Sequence, residues 1–210
     1  MSSTTKFATL ATKETVTRTI EALKAQNIGA HFAATAAEAK AKALELIPAG
    51  AEVLTNSSIT VDAIGLGAEL NDTGKYVSLK NKMYAMDRAT QGRAIAALVS
   101  APQIAVGSAH AVTEEGSIVI ASMSGSNLPS YAFGAEKVVL IISTKKIVKN
   151  DEEAQKRLWE HVLPQESARA RKAYGLPETF NSNPNTVLTI NAQPAPGRIE
   201  VIFVGEDFGF

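Results

Sequence analysis

The sequence predicts an α/β fold with a mostly parallel sheet flanked by helices, and three observations carry that reading. Short apolar runs rich in β-branched residues recur along the chain between turn-type residues, as at 103–106, 118–121 and 138–142. Segments with the apolar spacing of helices separate many of these runs, which is the pattern of βαβ units. Small polar residues cluster where the runs end, and the carboxyl ends of parallel strands are where such folds hold ligands.

Residues 12–26 set Val16, Ile20 and Leu23 at helical spacing, with Lys13, Glu14, Arg18, Glu21 and Lys24 elsewhere around the helix. A short strand is predicted at 28–33. Thr35 and Glu38 then have the spacing of a capping box, and the helix they open ends at Pro48 and Gly50. The next strand, 51–55, runs directly into Asn56, Ser57 and Ser58, ahead of the helix-periodic Ile59, Ala63, Ile64 and Leu66. This turn can cap the helix with its own hydroxyls, or leave its N–H groups to a carboxylate or phosphate. After the turn residues 71–74, a short strand is predicted at 76–79 and one helix between Lys82 and Val99. The charges of that region suit a solvated face, and Arg88 would suit a planar carboxylate only if it turned inward.

The most informative stretch is 107–149, where apolar runs alternate with small polar clusters. Ser122, Ser124, Gly125, Ser126 and Asn127 open a predicted helix reaching Phe133, whose N–H groups and hydroxyls would face an anion. Thr113, Glu114, Glu115, Gly116 and Ser117 have the composition of a polar turn between strands, and His110 just before them could exchange protons beside a carboxylate. Lys145 and Lys146 follow a strand, for which a solvated pair is the plain reading. Helices are predicted at 150–159 and 166–174, interrupted at Pro164. The second carries Arg169, Arg171 and Lys172, suited to solvent or to a subunit edge. Residues 176–185 read as a loop, and strands at 187–190 and 199–204 close the domain.

The 210 residues are read as a single domain over 1–210, with ordinary globular values of 45% apolar and 20% charged residues. Equal numbers of acidic and basic residues, 21 of each, give no global pull toward nucleic acid or an anionic membrane. No segment approaches the roughly 20 apolar residues of a membrane span, and none resembles a signal peptide, so a cytoplasmic location is expected. The absence of cysteine excludes cysteine nucleophiles, and any cofactor held through cysteine must belong to a partner. The cofactor is otherwise unknown. His31, His110 and His161 lack metal-ligand spacing, so no metal site is predicted, and neither a GxGxxG nor a Walker A sequence supports a nucleotide cradle.

The run AVTEEGSIV, the downstream SGSNLPSYAFGAEKVVLIISTKKIVK, the segment EEAQKRLWEHVLPQESARARKAYG and the terminal PGRIEVIFVGEDFGF together resemble the LUD domain family, specifically the lactate-utilisation protein C type. The resemblance implies a fold similar to ribose-phosphate isomerases, glucosamine-phosphate deaminases and coenzyme A transferases. It implies a strand-end site for a small anionic metabolite, which maps onto Asn56, Ser57 and Ser58, onto Thr113 and its turn, onto Ser124, Gly125, Ser126 and Asn127, and onto Lys145.

The family's association with lactate oxidation implies a cytoplasmic accessory component that works with iron–sulfur redox subunits. A cysteine-free chain would be the small companion rather than the dehydrogenase. The first alternative is a free-standing enzyme acting on a sugar phosphate or acyl thioester. Glu114 would then transfer the proton, residues 124–127 would cradle the anion, and Lys145 would supply countercharge. The second is an interaction module with a vestigial site. No acidic nucleophile of the coenzyme A transferase kind is evident.

Overall fold

A computed structural model describes residues 6–210. A six-stranded parallel sheet forms its centre, from β1 (Gly29–Ala33), β2 (Glu52–Thr55), β3 (Val77–Ser78), β4 (Ile104–Gly107), β7 (Lys137–Ser143) and β10 (Ile199–Val204). Their spatial order is β1-β10-β7-β4-β2-β3. A second, four-stranded sheet, β8-β5-β6-β9, is built from β5 (Ala111–Thr113), β6 (Ile118–Ser122), β8 (Ile147–Val148) and β9 (Thr186–Ile190). There β5 and β8 run parallel, whereas β6 is antiparallel to both β5 and β9.

Strand alternation explains why the central sheet is covered on both sides. Val138, Leu140 and Ile142 of β7 join Val201 and Phe203 of β10 on one face, packing against Val112, Ile118 and Ile120 of the second sheet. Leu23 of α1 (Lys13–Ala25) belongs to the same core. Val139 and Ile141 point the other way, with Val53, Val106 and Ile202, onto Ala39 and Ala43 of α2 (Ala36–Leu46). Val61 of α3 (Ile59–Ala63) and Leu66 and Leu70 of α4 (Leu66–Asp72) complete that layer.

The helix starts follow their caps. Thr12 caps α1, its hydroxyl accepting from Thr15 N. Before α2, Thr35 Oγ1 accepts from Glu38 N at 3.3 Å while the Glu38 carboxylate accepts from Ala34 N at 2.8 Å, a reciprocal arrangement of capping-box type.

Three elements depart from the sequence reading. The single helix expected between Lys82 and Val99 is two, α5 (Leu79–Ala85) and α6 (Gly92–Ser100), because the Asp87 side chain turns back to accept from Ala89 N and Thr90 Oγ1 and fixes a bend. The expected helix from Ser122 to Phe133 is instead a serine-rich turn followed by a short π-helical turn, Ser130–Gly134. Pro164 does not break the C-terminal helical run. It falls in the first turn of α8 (Leu163–Tyr174), where its missing N–H costs little, and a second π-helical turn, Leu158–Val162, joins α8 to α7 (Asp151–Arg157).

Candidate functional site

The two sheets meet at a seam, and the site lies there. Beyond Gly107, β4 leaves the central sheet and continues through Ser108, Ala109 and His110 into β5. Its neighbour β7 does the same beyond Ser143, passing through a 3₁₀ turn, Thr144–Lys146, into β8. The strands pair on both sides of this crossing, with Gly107 opposite Leu140 before it and Val112 opposite Ile147 after it. Side chains on the crossing segments are therefore held between two hydrogen-bonded frames, at the carboxyl ends of the parallel strands.

Lys146 is 4% exposed, and its ammonium donates to Thr60 Oγ1 at 3.3 Å, Ser108 Oγ at 3.3 Å and the Ala109 carbonyl at 3.2 Å. Burial, then Arg157, then Lys145 push its pKa down to about 7. Lys145 is also buried and forms an ion pair with Asp207, which lies just beyond β10. Arg157, at the end of α7, is fully buried and donates through Nη1 to the His110 carbonyl at 2.5 Å. Its Nε and Nη2 have no hydrogen-bond partner among the described residues. Burial lowers its pKa to about 10, so it remains a cation at neutral pH.

Two histidines border these cations. His161, on the π-helical turn after α7, is buried with both ring nitrogens unpartnered among the described residues. Burial, then Arg157 and Lys145, depress its pKa to about 4. His110 Nδ1 accepts from Ala121 N at 3.0 Å, and burial, then Lys146 and Arg157, push its pKa down to about 3. Both rings are neutral at physiological pH and add no positive charge to the seam.

Asn56, Gly107 and Tyr131 meet one another where β2 and β4 end. Tyr131, on the first π-helical turn, is 1% exposed, and its hydroxyl fills the space a Cβ at residue 107 would need. Burial raises the pKa of that hydroxyl, with Asn56 opposing the rise. Asn56 Nδ2 and Thr144 Oγ1 are buried without partners among the described residues. The seam thus gathers the cations Lys145 and Arg157, the partly protonated Lys146 and several uncommitted polar groups, against the carboxylate of Asp207. A buried excess of positive charge is costly unless an anion balances it, so the arrangement is suited to bind one.

Of the residues singled out from sequence, Lys145, Asn56 and His110 come to this seam, His110 as a neutral ring beside cations rather than beside a carboxylate. Ser58 caps α3 through a hydroxyl that accepts from Val61 N at 3.3 Å, and Ser57 is exposed beside it. Thr113 Oγ1 accepts from Ser117 N at 2.9 Å and closes the β5–β6 turn. Glu114, on the same turn, forms an ion pair with Arg18 of α1. In the serine-rich turn, Gly125 N donates to Ser122 Oγ at 3.0 Å and Ser126 N to Ser124 Oγ at 3.4 Å, so these donors are used locally. Asn127 accepts from Ser130 Oγ through its carbonyl, while its buried Oδ1 has no partner among the described residues.

Lys146, read from sequence as half of a solvated pair, and Arg157 and His161, given no site role there, are brought to the seam by the fold. Their one local signal is the placement of Arg157 and His161 on the stripe shared with Ala154, Leu158 and Val162, where a cation and an imidazole interrupt an apolar face. Among the described residues there is no cluster of His, Cys, Asp or Glu that could hold a metal ion, and no helix is long and apolar enough to cross a membrane.

The architecture is similar to solved structures. One is a DUF162 family protein from Deinococcus radiodurans, matched with a TM-score of 0.57 and 12% identity over 93% of this chain and 99% of that one. At that identity the likeness concerns the fold. No curated protein matches. A family profile described as the LUD domain matches residues 16–204, from α1 to the end of β10 and through every element of the seam up to that point. The chain belongs to the LUD domain family.

Proposed function

We propose that this chain is a small anion-binding component of lactate or related organic-acid oxidation that works beside redox subunits holding the electron carriers. The observation supporting it is the cationic seam: Lys145, Lys146 and Arg157 lie buried where α/β sheets take their ligands, with the Asp207 carboxylate on Lys145. A carboxylate would neutralise that excess and accept from the free donors of Arg157. The chain has no cysteine, so thiolate-held clusters would reside on a partner. The family's association with lactate utilisation fits this role. The test is lactate oxidation by the redox subunits with and without the chain, together with co-purification. Equal rates in both conditions and no co-purification would rule the role out.

A second reading, a free-standing enzyme on a sugar phosphate or acyl thioester, draws on Lys146. A buried amine with its pKa pushed down to about 7 is partly unprotonated at neutral pH and can move a proton. Turnover of such substrates by the purified chain, lost in Lys146→Met, would favour this reading over the accessory role.

A further inference from the structure

The segment after β10 does not leave the protein but folds back across the seam. Gly205 N donates to the Ala33 carbonyl at 2.9 Å, and the Glu206 carbonyl accepts from Ser143 Oγ at 2.6 Å. The Glu206 carboxylate accepts from Ala36 N, at the start of α2, at 2.6 Å. Asp207 places its carboxylate on Lys145. Gly209, at φ +66°, lies flat on the site, where a Cβ would stand 2.6 Å from Thr60 Oγ1 and 3.3 Å from Lys146 Nζ. Phe208 packs on the core at the α2 side, and Phe210 packs against Ala121, Leu158 and Val162 on the other. The strap is thus anchored at both ends and crosses Lys145 and Lys146 in the middle.

The central contact is the one most easily exchanged. The Lys145 side chain is 7% exposed, whereas that of Asp207 is 61% exposed. The lysine therefore needs a counterion that the aspartate supplies from the solvent side, and another carboxylate could supply it instead. The uncommitted edge of Arg157 points to the chemistry of that replacement. Nε and Nη2 form the side-on fork of a guanidinium, whose two parallel N–H bonds match the two oxygens of a planar carboxylate.

We propose that Asp207 is an internal competitor for the seam: a small monocarboxylate takes its place on Lys145, engages the Arg157 fork, and lifts the strap at 206–210. This rests on the anion-binding reading above, and adds to it both a ligand class and a built-in brake on occupancy. Binding and strap release are then one exchange, the incoming carboxylate taking the place of Asp207 on Lys145.

The test uses the full chain, titrated calorimetrically with pyruvate and with inorganic phosphate, as wild type, Asp207→Asn and Arg157→Lys. Asp207→Asn should bind pyruvate about tenfold more tightly, the equivalent of about 1.4 kcal/mol. Arg157→Lys should lose the preference for pyruvate over phosphate, and its circular dichroism shows whether it is folded. Independently of either variant, hydrogen exchange in the wild type should quicken at 205–210 when pyruvate is added. Wild-type binding of pyruvate that Asp207→Asn leaves unchanged or weakens, or exchange at 205–210 that slows, would overturn the competition while leaving anion binding in place. Failure of wild type and Asp207→Asn alike to bind either probe would overturn both.

Discussion

The Tyr131 hydroxyl occupies the place of a side chain at Gly107: a Cβ built there would overlap the hydroxyl and lie 3.5 Å from Asn56 Cβ. The tyrosine, on a π-helical turn, and the glycine, at the end of a parallel strand, thus share one volume. Gly107→Ala should destabilise the fold by about 1–3 kcal/mol through overpacking. Tyr131→Phe alone removes a buried hydroxyl that faces Asn56, and it should also destabilise. Combining the two should cost less than the sum of the single effects, because phenylalanine vacates the contested volume. Urea denaturation of the four proteins measures the coupling, and strict additivity would show that the two sites do not meet.

Acid should unfold the protein through its histidines. The unfolded chain takes up protons on His110 and His161 as pH falls through about 6.5, whereas the folded pKa values lie at about 3 and about 4. More protons are bound in the unfolded state across that window, so the histidines' contribution to stability is complete above about pH 6.5 and is lost progressively on acidification. His161→Gln should flatten the slope of stability against pH between about 4 and about 6.5 relative to wild type. An unchanged slope would mean that His161 is protonated in the fold.

The alkaline side should be governed by Lys146. Its folded pKa of about 7 lies below the unfolded value of 10.5, so the unfolded chain holds the extra proton between them and stability should rise with pH over that interval. In Lys146→Met the rise should disappear, and chemical denaturation at about pH 7 and about pH 9 makes the comparison. A wild type whose stability is flat or falling over this interval would show that the three acceptors around Lys146 outweigh its burial.

Glu114 gives a contrasting expectation. Its ion pair with Arg18 joins the β5–β6 turn to α1 with the arginine side chain 57% exposed. Glu114→Gln should therefore cost no more than about 1 kcal/mol, an effect that added salt would erase. Loss of turnover of a sugar phosphate or acyl thioester in the same variant would instead support Glu114 as a proton-transfer group.

Much of the framework was legible because it is written in local patterns. The run 199–204 coincides with β10, and the Thr35 to Glu38 spacing gives the cap of α2 that the hydrogen bonds display. The seam was harder to read, since β5 and β8 have three and two residues and acquire their identity only by pairing with each other. That pairing across 35 residues turns Lys145 and Lys146 inward, where the sequence alone suggests a solvated pair. Arg157 and Asp207 likewise meet the lysines only through tertiary folding. The serine-rich turn has the composition of an anion cradle, but its serines bond to one another and to its own backbone. Such local satisfaction is invisible to composition.

The π-helical turns at Ser130–Gly134 and Leu158–Val162 carry Tyr131 and His161, and each amounts to one residue more than an α-helix would use. Deleting that residue would restore regular helix and rotate the two flanking segments against each other by about a quarter turn or slightly more. In relatives of this chain, the revealing difference at these places is then one of length: a single-residue gap within 158–162 would swing Arg157 and the face of α8 out of their present phase while leaving the composition of the segment almost untouched.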